Sequence, residues 1–246
     1  MYINSSACAD KNISCVSLVE ESNVDALISE ILMAQEPVSI GFLNQHGYNL
    51  MVENEGVFSS FSSLNYLLRD GIGIKLACRL NHLNPGFNAN GTDFIPLLVQ
   101  RIIEGWGDFD CFTLGTSEPW LSLGTSELLK GRKAFSLDGF KNNEEYLSFI
   151  KGSSVSSRKK LIVLAMGMPK QEAIAKMICD NLSEPVIVIC GGAILDFSAG
   201  KFSRAPDIFR KLNIEWLYRL TLEPKRLFSR YVIGIPKFLY YIAKFR

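Results

Sequence analysis

Four short apolar runs set the terms for this chain: "EPVSIGFL", which ends at Asn44, then "FDCFTLG", "KKLIVLAMG" and "EPVIVICGG". Each is too continuous to be a half-exposed strand and too short to be a buried helix, which is the pattern of a strand covered on both faces. Segments with helical spacing lie between them. "DFIPLLVQRIIEGW" is expected to be a helix capped by Thr92 or Asp93, and "KQEAIAKMICDNL" one that opens near Pro169. "SSFSSLNYLLRD" also reads as a helix, because Phe61, Leu64, Leu67 and Leu68 share one helical face. It leads into a turn at Asp70-Gly71 and Gly73, followed by a short strand. "GTSE" occurs at 115–118 and again at 124–127, and the pair reads as two helix starts around Pro119. Strands alternating with helices predict an α/β fold, a parallel sheet with helices on both faces.

The character changes after residue 205. Residues 1–205 are expected to form the core, and residues 206–246 a helical appendage punctuated by Pro206, Pro224 and Pro236. From Lys225 to Arg246 the appendage carries six basic residues and no acid, although the whole chain has a net charge of only +1. So even a balance gives no global field toward nucleic acid. The last helix, "IPKFLYYIAKFR", mixes aromatics and lysine as an interfacial helix does; packing on the body is the other reading. The opening residues lack the pattern of a secretory leader, and no run reaches the length of a membrane span. None of the six cysteines sits in a C-x-x-C pair. Cys111 and Cys190 fall inside strand runs as small core side chains, so the reduced, cytoplasmic state is expected.

Ligands of an open parallel sheet bind beyond the carboxyl ends of its strands. Asn44-Gln45-His46, the Gly115 loop, Gly167 to Gln171, and Gly191-Gly192 are expected there. Glycines allow a close approach of backbone, and the helix opening near Pro169 offers N–H groups to a phosphate, which suggests a nucleotide or nucleotide-sugar. The fingerprints of dinucleotide and P-loop sites are missing. Asp108-Phe109-Asp110 is a D-x-D sequence, but it precedes its strand and should face away from the site. His46 is placed to touch a ligand and His82 reads as a loop residue. Asp70 is either a turn residue or a functional carboxylate.

The motifs "LNQHG", "RDGIGI", "NGTDF", "AMGMPKQE", "CGGAILDFSAGKFSRAP" and "IEWLYRLTLEPKR" occur in this order. With them the chain resembles the WecG/TagA/CpsF family, glycosyltransferase family 26, from about residue 36 to 235. The resemblance implies a Rossmann-like core and a C-terminal appendage that meets the membrane and helps complete the active site. It implies an inverting transfer, without metal or other cofactor, of an N-acetylmannosamine-type sugar. The donor would be a UDP-sugar and the acceptor a polyprenyl-diphosphate-linked sugar at the inner face of a bacterial plasma membrane. Carried over by motif, the catalytic base falls on Asp70. Asn44, Gln171, Gly191 and Gly192 become donor or acceptor contacts, and Arg219 and Arg226 would stabilise the departing diphosphate. Arg204 either joins them or ties the appendage to the core.

The chain departs from the family pattern in three places. Phe42 stands where many members have Thr, and Asn88-Ala89-Asn90-Gly91 replaces Arg-Val-x-Gly. Ser229, with Arg230 beside it, meets a third appendage arginine. Two other readings compete: a metal-dependent transferase using Asp108 and Asp110, and a membrane-associated scaffold without turnover. Self-association is left open.

Overall fold

A computed structural model describes residues 8–153, 158–202, 205–206, 209 and 215–246 of the protein. Six strands form one sheet: β1 (Val38–Leu43), β2 (Tyr66–Arg69), β3 (Phe109–Gly115), β4 (Phe135–Leu137), β5 (Lys159–Ala165) and β6 (Val186–Cys190). Their order is β2-β1-β6-β5-β3-β4, and every pairing is parallel. Every residue of β1, β2, β3 and β6 is buried, as the uninterrupted apolar runs require.

Successive residues of a strand face opposite sides, so each strand feeds two cores. In β5, Ile162 and Leu164 enter one core while Leu161, Val163 and Ala165 enter the other. The first core is covered by α3 (Gln45–Glu53), α4 (Glu55–Ser62), α5 (Gly71–Leu80), α8 (Asn143–Ser153) and α9 (Lys170–Asn181). The second is covered by α2 (Val24–Met33), α6 (Gly91–Gly105), α7 (Trp120–Leu128) and α10 (Ile194–Ser198). A short α1 (Lys11–Ser14) precedes them. After β1 the chain passes into α3 on one face, and after its neighbour β6 into α10 on the other. The two loops therefore part over adjacent strands, and a crevice opens between them.

Three local expectations need correction. The helix expected across 59–70 stops at Ser62, and Tyr66–Arg69 is strand β2. Leu67 and Leu68 face opposite cores, so their apparent helical register with Phe61 is coincidental. "GIGIKLAC" is the body of α5 rather than a turn and a strand, which places Asp70 between a strand end and a helix start. Asn90, not Thr92 or Asp93, caps α6, accepting the Thr92 N–H at 2.9 Å.

The first "GTSE" does sit at a strand end before a helix, but the second lies inside α7. Gly124, in that second copy, lets α7 run against α10: a Cβ there would meet the carbonyl oxygen of Leu195.

At the C-terminal end the described elements are helices Glu215–Leu222 and Pro224–Phe228, a π-helical turn Ser229–Ile233, and helix Gly234–Lys244. The last helix is docked on the body. Phe238 and Ile242 are buried in the first core, with the Phe238 ring edge-on to Tyr48 at 5.1 Å. Asn49 Nδ2 donates to the Gly234 carbonyl at 2.8 Å, and Lys237 pairs with Glu53 at 2.7 Å. The reading of a helix packed on the body is thus met, and the opposite side of the helix leaves Leu239 and Tyr240 exposed. Among the described residues no helix is long and apolar enough to cross a membrane.

Backbone cannot yield as a side chain can, so Gly124→Ala should force α7 and α10 apart. We expect a loss of about 2 kcal/mol, as for overpacked interiors, measured by urea unfolding.

Candidate active site

The carboxyl ends of the strands open into a cleft of about 1510 Å³, walled on one side by the C-terminal helices. Asp70, Asn44, Gln171, Gly191 and Gly192 all line it, from β2, β1, α9 and the loop after β6. The structure thus brings to one cleft the five core residues that the resemblance had assigned to catalysis or to donor and acceptor contacts.

Asp70 is held from both sides. Its N–H donates to the Leu43 carbonyl at 2.8 Å, fixing the end of β2 against the end of β1. Arg69 is buried and ties the same loop to the next one: Nε donates to the Pro85 carbonyl at 2.8 Å, Nη2 to Gly86 at 3.0 Å and Nη1 to Gly71 at 3.2 Å. Asn88 Oδ1 accepts the Gly71 N–H at 2.8 Å. Gly71 has φ 85°, a backbone conformation that suits glycine, so the chain can turn sharply from Asp70 into α5. The Asp70 side chain does not cap α5, and Asp70 lines the cleft. Asn88, a departure from the family pattern, therefore has a structural task in fixing the loop beside Asp70.

Asn44 caps α3. Its Oδ1 accepts the N–H groups of His46 and Gly47 at 3.0 and 3.2 Å, leaving its NH₂ as the donating half of the amide. His46, in the first turn of α3, also lines the cleft. Burial, then the nearby Arg230 guanidinium, lowers its pKa to about 4, so it is neutral at pH 7.

The Gly191-Gly192 turn differs from a phosphate cradle. The Gly191 N–H donates to the Leu164 carbonyl at 2.8 Å, and the Gly192 N–H to Gln171 Oε1 at 2.9 Å. Both donors are used within the protein. What Gly192 offers is an unobstructed surface: a Cβ on it would meet nothing within 4 Å, and its φ of 59° favours glycine. Gln171 is buried, with its other end, Nε2, donating to Glu172 Oε1 at 2.8 Å. Its amide supports the turn from below.

Lys170 acts in the same way on the other side. Its Nζ donates to the carbonyls of Gly139 and Lys141 at 3.0 and 2.6 Å, and lies 5.1 Å from the Tyr146 ring centre. Thr116 Oγ1 and Lys201 Nζ both donate to Asp196 Oδ1, at 2.6 and 3.0 Å, on the adjoining wall. Sequence reasoning placed the Gly115 loop at the site but missed the 138–141 turn, because β4 is only three residues long and not fully buried.

Asp108 and Asp110 lie at the amino end of β3, where Arg158 pairs with them at 2.8 and 3.6 Å. Neither lines the cleft. Arg204 is outside the described residues, as are the side chains of Arg219 and Arg226. Arg230, from the π-helical turn, does line the cleft.

The model of the family described as "Glycosyl transferase WecG/TagA/CpsF family" matches residues 11–246. The chain is 28% identical over 249 residues to the N-acetylglucosaminyldiphosphoundecaprenol N-acetyl-beta-D-mannosaminyltransferase of Staphylococcus aureus strain NCTC 8325 / PS 47, covering 92% of each protein. It is 27% identical, with the same coverage, to the protein of that name from strain MRSA252.

Glu172, fully buried beside Gln171, has its pKa raised by burial to about 7. A carboxyl group that holds its proton more tightly when folded stabilises the protein at low pH; this contribution is lost as pH rises from about 4.5 to about 7. Glu172→Gln should therefore flatten the pH dependence of stability. Urea unfolding at pH 5 and pH 8 should show wild type losing on the order of 2–3 kcal/mol more than the variant.

Proposed function

The chain belongs to the WecG/TagA/CpsF family of glycosyltransferases, and on that premise we propose an inverting transfer from a UDP-sugar to a polyprenyl-diphosphate-linked sugar. The relatives' names support an N-acetylmannosaminyl group as the sugar moved and an N-acetylglucosaminyl-diphosphate lipid as its acceptor, for a cell-surface polysaccharide. The observation that carries the reading is the position of Asp70, on the cleft wall at the carboxyl end of β2, in a loop secured by Arg69 and Asn88.

In this reading the acceptor hydroxyl oxygen attacks the anomeric carbon while Asp70 takes its proton. The bond from that carbon to the diphosphate oxygen breaks, and its electron pair leaves with the nucleoside diphosphate. A single displacement inverts the configuration. The leaving diphosphate gains negative charge, and guanidinium groups suit it because they stay charged and bind two oxygens at once. We assign that task to Arg219, Arg226 and Arg230, with no metal. His46, neutral at pH 7, adds no competing cation to the wall.

The apolar residues around the cleft support peripheral attachment to a membrane. Ile72 and Leu76 on α5 and Ile233 and Leu239 of the C-terminal elements all line the cleft and are exposed. Phe228 and Tyr240 extend this exposed surface, and the basic residues from Lys225 to Arg246 suit an anionic bilayer. A lipid-linked acceptor would then enter on the side of the sheet where Asp70 stands. Part of the surface lies on the helix that contributes Phe238 and Ile242 to the core, so truncating that helix is a poor test of it.

Asp70→Asn should unfold like wild type, keep its affinity for UDP and lose at least ~100-fold in kcat, as for removal of a positioned base. Transfer is to be measured in EDTA with a lipid-linked acceptor; near-normal turnover would remove Asp70 from the role. Replacing Phe228, Ile233 and Tyr240 together by Ser should abolish most sedimentation with anionic vesicles while leaving the melting temperature near that of wild type.

A further inference from the structure

Gln45, His46, Asn49, Leu50 and Glu53 of α3 all line the cleft, a stripe with the three- and four-residue spacing of one helix face. Three of them are committed to the C-terminal elements. Gln45 Nε2 donates to the Arg230 carbonyl at 3.3 Å, Asn49 Nδ2 to the Gly234 carbonyl at 2.8 Å, and Glu53 accepts Lys237 at 2.7 Å. Leu50 is apolar. His46 differs from the rest: its backbone N–H is held by Asn44, but the described residues make no hydrogen bond to its half-buried ring. The charged groups that act on the ring are Arg230, from the π-helical turn, and Glu53, from its own helix. The ring is neutral at pH 7, so one of its nitrogens carries a proton to donate and the other is a bare acceptor.

We propose that His46 binds a hydroxyl of the acceptor sugar and holds that sugar facing Asp70, an inference that rests on the transfer reading above. Position separates the acceptor from the donor. His46 follows β1, and the Leu43 carbonyl, three residues before it, accepts the Asp70 N–H, so the ring and the carboxylate stand on loops joined by a backbone bond. The wall that α3 shares with the C-terminal elements also carries exposed Ile233, with exposed Ile72 on α5 beside it, the rim assigned above to the lipid. The nucleoside diphosphate has room on the other side of β1, where β6 leads to Gly192 and a Cβ would meet nothing within 4 Å. The chemistry of the ring fits as well. A sugar hydroxyl both donates and accepts, and a neutral imidazole can meet it in either sense, whereas an ammonium only donates and a carboxylate only accepts. The bonds of Gln45, Asn49 and Glu53 hold the wall around the ring, so its place is set before a substrate arrives.

The test measures transfer to a lipid-linked N-acetylglucosaminyl diphosphate, and UDP binding by calorimetry, for the full chain as wild type, His46→Phe and His46→Gln. His46→Phe keeps a ring but no hydrogen bond, and should lower kcat/KM for the acceptor about tenfold while UDP affinity stays within about twofold. His46→Gln, whose amide again donates and accepts, should recover to within about threefold of wild type. Acceptors lacking one sugar hydroxyl, other than the one attacked, provide a second reading that needs no variant to fold. One of them should cost wild type the same factor of about ten and cost His46→Phe nothing further. Wild-type acceptor kinetics in His46→Phe would overturn the assignment, and so would an equal loss of UDP affinity, which would put the ring at the donor. A penalty in His46→Phe that no deoxy acceptor reproduces would overturn it too. Wild-type protein that moves no sugar to any lipid-linked acceptor would overturn the transfer reading and this inference with it.

Discussion

The first turn of α9 supports both walls of the cleft over β5. Lys170 reaches one way to the 138–141 turn, and Gln171 reaches the other way to Gly192. Neither side chain needs to touch a ligand to matter. An ammonium bonded to two carbonyls and an amide bonded at both ends replace the flexibility of two loops with the stiffness of one helix. The helix is in turn anchored by Ile174, Ala175 and Ile178 in the first core. The shape of the cleft therefore depends on the packing of the sheet below it.

The other end of the cleft is built by a different device. Arg69 and Asn88 connect the loop after β2 to the loop before α6 through bonds to backbone groups, and Asp70 stands between them. Buried Arg69 meets three carbonyl dipoles, a set of partners that makes its burial tolerable. The backbone that carries the Asp70 carboxylate is thereby fixed at the cleft edge. Preorganisation of this kind places the same demand on a base as on an oxyanion site, since nothing has to be reoriented during the reaction.

Much of this was legible in the sequence where one physical signal dominated. β1, β3, β5 and β6 are fully buried or nearly so, and their apolar runs stand out without any alternation. β2 was hidden because it is short and adjoins a helix whose apolar face appears to continue through Leu64 into Leu67 and Leu68. That error put Asp70 after a helix, whereas its place after a strand is what brings it to the cleft edge. Asn44 and the Gly191-Gly192 pair were found by the rule for strand ends. The work of Lys170 and Gln171 was not, since a motif shows which residues recur and not which backbone groups they reach.

The π-helical turn at Ser229–Ile233 bears on how this chain is compared with its relatives. A π turn closes over one more residue than an α turn, as though the helix had absorbed a single insertion and kept both ends in place. Counted residue by residue, Ser229 falls where the resemblance expects a third appendage arginine. The next residue, Arg230, lines the cleft near His46. Counting by columns keeps no record of a turn that takes up one residue more, whereas the path of the chain through the cleft wall does.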